Sequence, residues 1–252
     1  MKKLIPIVSL FLFASLYSVA SEIGDRTIPA DVAQLSDSLK CQYAPDKRVV
    51  LFDVDYSFSG KNVMLRGVTT SAEAKAALLN GLSKADYQVM DCLQVLPDEA
   101  ALEGKTYGII NVSVSNLRVD PDFSSEMMTQ GLMGMPVRVL QRDGWYRIQT
   151  PDNYIAWVHR VGIHPVTKEE LHVWNTAEKI VVTSHYGFVY SEPNQSSQTV
   201  SDVVAGNRLK WEGTKGAFYK VAYPDGRTGY ISKSISMPEK KWRAALKQDA
   251  AS

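Results

Sequence analysis

An internal repeat in the second half of the chain constrains its fold more than any other feature. Three pairs of similar residues are separated by the same 73 positions: Tyr146 and Tyr219, Pro151 and Pro224, and Trp157 and Tyr230. A repeat of this length predicts one small supersecondary unit that the chain uses twice.

Each copy carries the pattern of a small β-barrel. Aromatic residues open a strand, a turn follows at 151–153 (Pro-Asp-Asn) or 224–226 (Pro-Asp-Gly), and the next strand again contains an aromatic residue. Proline fixes φ, and Asn or Gly accepts the left-handed position of a tight turn. From Tyr107 onward, short apolar runs alternate with turn residues, which is typical of all-β folds. The sequence therefore predicts two barrels in tandem.

Four motifs of the first copy are similar to those of bacterial SH3 domains. They are Asn116-Leu117-Arg118 followed by Pro121, Gly134-x-Pro136-Val137, Gly144-Trp145-Tyr146-Arg147-Ile148 and Asp152-Asn153-Tyr154-x-x-Trp157-Val158. The resemblance extends from Tyr107 to about Ser236. The chain also resembles the N-terminal half of NlpC-family cell-wall cysteine endopeptidases of the dipeptidyl-peptidase VI-like kind. In that family a signal, a small module and two SH3 domains precede a papain-like catalytic domain. The resemblance implies binding of peptidoglycan stem peptides or muropeptides.

The segment before the barrels predicts a small α+β layer. Apolar residues at helical spacing indicate helices at 31–43 and 70–82, and alternating apolar residues indicate strands at 50–58, 63–68 and 87–96. This order resembles the small BON modules of exported bacterial proteins. Asp53 and Asp55 share one strand face, where a solvated surface is favoured over a cation site.

The predicted fold is therefore mainly β, with a small α+β N-terminal domain and two tandem SH3-like barrels. The predicted segments are a signal peptide at 1–20, a BON-like domain at 28–100, a first barrel at 107–164, a linker at 165–178, a second barrel at 179–236 and a C-terminal helix at 237–252.

The first twenty residues have the features of a cleaved secretory signal. Lys2 and Lys3 precede an apolar run from Leu4 to Tyr17, and Ser18-Val19-Ala20 supplies small residues for cleavage. The alternative is a membrane anchor, but the run is shorter than the roughly 20 residues of a spanning helix. We therefore expect a periplasmic or secreted protein without a membrane span after cleavage.

The net charge bears on nucleic-acid binding, and the cysteine content bears on disulfide formation. The net charge is +1, and −1 once Lys2 and Lys3 are removed, so nothing predicts nucleic-acid binding. Cys41 and Cys92 are the two cysteines. In an exported protein they either form one disulfide or remain buried thiols, and sequence does not decide between these alternatives.

No catalytic or cofactor site is predicted. The resembling family requires a cysteine nucleophile in an Asp-Cys-Ser-Gly-Phe motif, whereas Leu93-Gln94-Val95 follows Asp91-Cys92. Cys92 also lies in a predicted strand, without the helix start that lowers a thiol pKa. The four histidines do not have metal-binding spacing. The prediction is therefore no catalytic residue, no metal ligand and no cofactor.

The C-terminus predicts a helix opened by a capping box. Ser236 and Glu239 have the required spacing, and an apolar stripe continues to Ala250 without a stop signal. An apolar stripe packs against something. It either leads to a catalytic cysteine peptidase domain beyond Ser252, which we favour, or docks back on the second barrel.

The resemblance also implies the candidate ligand-binding residues. In the family, an acid after the Asn-Leu-Arg-x-x-Pro motif and an aromatic residue hold the amino terminus of the substrate. These features correspond to Glu126 and Tyr154. Trp157 of the same motif is a third candidate, for which a place in the barrel core and groove wall is favoured over ligand contact. A carboxylate and an aromatic ring both attract an ammonium group. The alternatives are a solvated loop charge at Glu126 and a turn residue packed on Trp157 at Tyr154.

The sequence is compatible with three functions. The favoured hypothesis is non-catalytic recognition of peptidoglycan stem peptides. The second is the front part of a split or truncated cysteine endopeptidase, and the third is an envelope scaffold that binds a partner protein.

Overall fold

A computed structural model describes residues 27–249, which form three separate β-sheets and four α-helices. The predicted signal peptide at 1–20 lies outside the described residues. In the described range, no helix is both long enough and apolar enough to cross a lipid bilayer. The predicted fold class, mainly β with a small α+β N-terminal region, is confirmed.

The N-terminal domain contains two helices on one three-stranded sheet. Its elements are α1 (Ala30–Tyr43), β1 (Phe52–Ser59), β2 (Asn62–Thr69), α2 (Ala72–Lys84) and β3 (Gln88–Val95). Strands β1 and β2 form an antiparallel hairpin, whereas β2 and β3 are parallel because α2 crosses over between them. Ser71 caps α2 by accepting a hydrogen bond from the Ala74 N–H. Leu65, Leu78 and Leu82 are fully buried between the layers.

Neither alternative for the cysteines matches the structure. Cys41 and Cys92 are both free and both exposed. Cys41 lies in α1 and Cys92 in β3, and each side chain points away from the core that contains Leu93. The alternation of the strand that buries Leu93 turns the neighbouring Cys92 outward.

The first barrel is one sheet in the order β10-β4-β7-β8-β9-β5-β6. Its strands are β4 (Tyr107–Ile110), β5 (Val114–Arg118), β6 (Met127–Leu132), β7 (Pro136–Asp143), β8 (Trp145–Gln149), β9 (Ile155–His159) and β10 (Ile163–Val166), with a 3-10 turn at Arg160–Gly162 before β10. The core is thin and contains Ile110, Leu117, Val139, Ile148 and Val158.

The second barrel repeats this arrangement in the order β13-β12-β16-β15-β14-β11-β17. Its strands are β11 (Lys179–Val182), β12 (Tyr186–Tyr190), β13 (Thr199–Val204), β14 (Arg208–Lys215), β15 (Phe218–Ala222), β16 (Thr228–Ser232) and β17 (Ser236–Pro238). Strands β5 to β7 correspond to β12 to β14 with an offset of 72 positions. Ala217 is an additional residue after the Gly216 turn, and the offset is 73 from there on.

The two barrels are packed tightly on each other. Met133, which follows β6, is 1% exposed and is part of the core of the second barrel. Complete burial of such a side chain contributes about 1.5–3 kcal/mol. Its carbonyl accepts a hydrogen bond from the Arg208 N–H at 3.0 Å, and Asn207 Nδ2 donates to the Ser113 carbonyl at 2.8 Å. These contacts fix the orientation of one barrel relative to the other.

Helix α3 (Lys168–Thr176) connects the barrels. Thr167 and Glu170 form a reciprocal capping box at its start. At its end, Lys179 Nζ donates to the carbonyls of Trp174 and Ala177. The Trp174 indole N–H donates to the Gly134 carbonyl at 3.3 Å, which ties the helix to the first barrel.

The N-terminal domain packs on the first barrel through a small apolar cluster. Leu51 and Leu96 from the domain meet Leu140 and Ile155 from the barrel. The Ile155 N–H donates to the Arg48 carbonyl at 2.7 Å.

The predicted capping box at Ser236 is wrong. Ser236 lies in β17, where it pairs with Val182, and its hydroxyl donates to the Ser232 carbonyl. Ser236 therefore takes part in long-range strand pairing and does not cap the helix. Helix α4 (Glu239–Asp249) begins at Glu239, whose carboxylate lies 3.1 Å from Arg208 Nε of the second barrel. Residues 250–252 lie outside the described range.

Candidate ligand-binding face of the first barrel

The outer face of strands β8 and β9 is built from three cross-strand pairs, Trp145 with His159, Arg147 with Trp157, and Gln149 with Ile155. Alternation along a strand places these residues on the side opposite the core residue Ile148. The N-terminal domain covers the end at Gln149 and Ile155, because Gln149 Nε2 donates to the Val49 carbonyl. The loop 119–126 between β5 and β6 reaches the opposite end.

Loop 119–126 is held by its own hydrogen bonds. The Val119 N–H donates to the Glu126 carbonyl at 3.0 Å and closes the base of the loop. Asp122 Oδ1 accepts 2.7 Å hydrogen bonds from the backbone N–H and the hydroxyl of Ser124, and these bonds lower the pKa of Asp122. The Asp122 carboxylate is therefore committed to the loop.

Phe123 at the tip of this loop lies against the barrel. Its ring centroid is 4.8 Å from that of Trp145 and 5.0 Å from that of His159, and the rings of Trp145 and His159 are also 5.0 Å apart. Edge-to-face contacts of this kind stabilise aromatic clusters. Phe123 nevertheless remains 67% exposed. The cluster anchors the loop and leaves an apolar surface open to solvent.

Glu126 is exposed at the end of the loop. Its backbone carbonyl closes the loop, whereas its carboxylate has neither a hydrogen bond nor an ion pair with any residue in the range 27–249. A free carboxylate at this position is available to a cationic ligand group.

Tyr154 is half-buried at the boundary with the N-terminal domain. The Arg48 guanidinium carbon lies 5.9 Å from the Tyr154 ring centroid. Arg48 is in turn paired with Asp46 at 2.7 Å. A cation of the chain itself therefore lies against the ring that was predicted to receive a ligand amine.

Trp157 is 8% exposed, and the Arg147 guanidinium carbon lies 5.4 Å from its ring centroid. On its other side Trp157 pairs with Arg118 of β5. No hydrogen bond or ring contact joins Glu126, Tyr154 and Trp157 to one another within the described part of the chain. The three predicted residues thus stand on the same barrel but are not one contact cluster.

The second barrel has different residues at the corresponding positions. Gln198 replaces Glu126, Gln195 replaces Phe123 and Ser232 replaces His159. Lys220 corresponds to Arg147, and Arg227 corresponds to Tyr154. The backbone of the loop is nevertheless the same, because the Ser191 N–H donates to the Gln198 carbonyl at 2.8 Å. The two barrels share a framework but not the chemistry of this face.

The sequence motifs do not indicate Arg147, Phe123 and Asp53 as parts of this face. The available signal for Arg147 was its spacing, because residues two positions apart in a strand, such as Trp145 and Arg147, lie on the same face. The sequence favours Asp53 as a solvated residue, and its side chain is 60% exposed, but its carboxylate also lies 3.5 Å from Arg147 Nη2. Because Asp53 belongs to another domain, no local pattern predicts this contact.

No group of three or more His, Cys, Asp or Glu side chains within residues 27–249 is arranged to hold a metal ion. In the same range, no histidine is hydrogen-bonded to Cys41 or Cys92. The face that the structure does present combines the free carboxylate of Glu126, the exposed ring of Phe123 and the Arg147 guanidinium, which are groups suited to binding.

The fold and this face define a protein with two SH3 barrels. A family model described as the bacterial dipeptidyl-peptidase SH3 domain matches residues 117–162, and one described as the bacterial SH3 domain matches residues 185–236. The chain therefore contains two bacterial SH3 domains in tandem, which confirms the resemblance inferred from the motifs.

The structural neighbours include NlpC/P60 family proteins. An NlpC/P60 family protein from Bacillus cereus is 18% identical with a TM-score of 0.44, and the match covers 52% of this chain and 55% of that one. An NlpC/P60 endopeptidase from Photobacterium damselae subsp. piscicida is 11% identical with a TM-score of 0.42, covering 87% and 55%. NlpC2 from Trichomonas vaginalis is 15% identical with a TM-score of 0.22, covering 52% and 47%. The chain thus spans about half the length of these structures. No curated protein sequence matches the chain.

Proposed function

We propose that this chain is an exported recognition protein related to cell-wall endopeptidases, and that its first barrel binds peptidoglycan stem peptides without catalysing their cleavage. The match of residues 117–162 to the dipeptidyl-peptidase SH3 domain supports this assignment. Such peptides carry ammonium and carboxylate groups, and both find partners of opposite charge on the first barrel.

The observation that carries the proposal is the unpaired carboxylate of Glu126. Hydrogen bonds within loop 119–126 hold its backbone, and the Glu126 side chain takes no part in them. The same backbone loop in the second barrel presents the neutral Gln198. At this position, therefore, only the first barrel can form a charge-assisted hydrogen bond to a ligand ammonium.

Cosedimentation of the mature protein with purified cell walls tests the proposal. We expect the wild-type protein to sediment with the walls and Glu126→Ala to lose most of this binding. Gln198→Ala is the matched control at the corresponding position of the second barrel, and it should bind like the wild type. Absence of wild-type binding would remove the proposal, and an equal loss in both variants would remove the role of Glu126.

Recognition within an endopeptidase is a second candidate, and the description of the first family model favours it. In this case the chain supplies substrate binding to a catalytic cysteine peptidase domain. Addition of the chain to a purified NlpC/P60 catalytic domain should then lower its KM for a stem peptide. An unchanged KM argues for recognition alone.

A further inference from the structure

Arg147 is a largely buried cation whose hydrogen-bonding capacity is almost unused. Its side chain is 18% exposed, and its single hydrogen bond runs from Nη2 to Asp53 Oδ2 at 3.5 Å. Its Nε atom is buried without a hydrogen-bond partner. A guanidinium offers five N–H donors. One long hydrogen bond therefore leaves most of them unsatisfied.

Retaining a cation in this position is unfavourable for the free protein. Burial lowers the pKa of Arg147, and the charge of Asp53 opposes this effect only in part. Asp53 is itself 60% exposed, and exposed partners at such distances contribute little to stability. Buried charges are otherwise paired and well hydrogen-bonded in proteins.

The surroundings hold the guanidinium in place for a ligand. The Arg147 guanidinium carbon lies 5.4 Å from the Trp157 ring centroid, and the charges of Asp53 in the N-terminal domain and Asp120 in loop 119–126 both favour its cationic form. Arg118 flanks the other side of Trp157, but its Nη1 atom already donates to the Ser125 carbonyl. Arg147 differs from Arg118 because it makes no hydrogen bond within its own barrel, and its one hydrogen bond is to Asp53 of the N-terminal domain.

We propose that Arg147 binds a carboxylate group of the peptide ligand and that this carboxylate displaces the weak contact with Asp53. Planar guanidinium and carboxylate groups form paired, parallel hydrogen bonds, which fits the free donors of Arg147. The inference rests on the proposed function, and it specifies the ligand further as a peptide with a carboxylate in addition to its amino terminus.

Calorimetric titration with two probes tests this inference on the full mature chain. The probes are a synthetic stem tripeptide with a free α-carboxylate on its D-glutamyl residue, and the same peptide with that carboxyl as an amide. We expect the wild-type protein to prefer the carboxylate peptide by about ten- to hundredfold, the range expected for hydrogen bonds to charged groups. Arg147→Met should abolish this preference. Lys220→Met, at the corresponding position of the second barrel, should retain it.

Asp53→Ala provides a second variant that does not remove a buried group. Because it eliminates the competing carboxylate, binding of the carboxylate peptide should tighten by about two- to fivefold. Binding of the amide peptide should stay unchanged. Circular dichroism of each variant verifies that the fold is retained.

The outcomes separate this inference from the proposed function. If the wild-type protein binds both peptides equally and Asp53→Ala alters neither, Arg147 does not bind a carboxylate, while peptide recognition stands. If the wild-type protein binds neither peptide, the proposed function fails and the inference fails with it.

Discussion

Arg48 of the N-terminal domain lies against the ring of Tyr154 in the first barrel, with its guanidinium carbon 5.9 Å from the ring centroid. The backbone reinforces this contact, because the Arg48 carbonyl accepts the Ile155 N–H at 2.7 Å. A ligand ammonium at the ring position that Arg48 occupies would have to displace this side chain.

The first prediction follows from that competition. Arg48→Ala uncovers the Tyr154 ring without changing the backbone hydrogen bond to Ile155. If Tyr154 takes the amino terminus of the ligand, binding of a free-amine stem peptide should tighten by about two- to fivefold, as expected for a cation–π contact at an exposed site. Titration with the acetylated peptide is the control, and its affinity should not change. Unchanged binding of both peptides places Tyr154 outside the site.

The second prediction concerns Phe123 as an anchor of loop 119–126. Phe123→Ala removes the ring contacts with Trp145 and His159, so the loop amides should exchange hydrogen faster and affinity for stem peptides should fall about five- to tenfold. Phe123→Tyr preserves the ring and should restore both properties. Gln195→Ala in the second barrel should affect neither. Normal exchange in Phe123→Ala would show that the ring does not hold the loop.

The third prediction compares two glycines with left-handed backbone. Gly134 has φ +84°, and a Cβ atom there would lie 2.3 Å from the Arg208 carbonyl oxygen across the barrel interface. Gly144 has φ +67°, and a Cβ atom there would meet nothing within 4 Å. Urea denaturation should show Gly144→Ala to cost about 1 kcal/mol from backbone strain alone. Gly134→Ala should cost about 1–3 kcal/mol more from the steric conflict. Equal costs would mean that the barrels separate easily.

The fourth prediction concerns Lys179, which is 8% exposed. Burial lowers its pKa from the ordinary 10.5 to about 8. Well below pH 8, Lys179 is protonated in both the folded and the unfolded chain. Between about pH 8 and 10.5, Lys179 is protonated in a larger fraction of the unfolded chains than of the folded ones. The free energy of unfolding should therefore rise with pH in this window.

Lys179→Met provides the comparison, because it fills a similar volume and does not titrate. Urea denaturation from about pH 7.5 to about 9.5 should show the wild-type protein gaining stability relative to the variant. A constant difference between the two proteins across this range would contradict the lowered pKa.

The sequence predicted the elements that depend on local chemistry. The repeat, the turns at 151–153 and 224–226 and the alternating strands specify two barrels because each copy contains its own pairing and core pattern. The α-β-β-α-β order of the N-terminal domain followed from periodicity in the same way. Glu126 is exposed and unpaired, which fits both a ligand-binding acid and a solvated loop charge, so its role stays a prediction.

Contacts between distant segments could not be predicted. Arg48 with Tyr154 and Asp53 with Arg147 join residues about a hundred positions apart in different domains, so no spacing indicates them. For the same reason Ser236, which has the local pattern of a helix cap, instead pairs in a strand with Val182. The resemblance that indicated an amine pocket likewise did not indicate the chain's own arginines on its aromatic rings.

Chemical-shift mapping by NMR can decide whether the first barrel recognises stem peptides. The ¹⁵N-labelled mature protein is titrated with a stem tripeptide that has a free amino terminus and a free α-carboxylate. We predict perturbed amides in loop 119–126 and around Arg147 and Trp157, with the corresponding positions of the second barrel unchanged. Perturbations confined to the second barrel, or none at saturating peptide, would contradict the account.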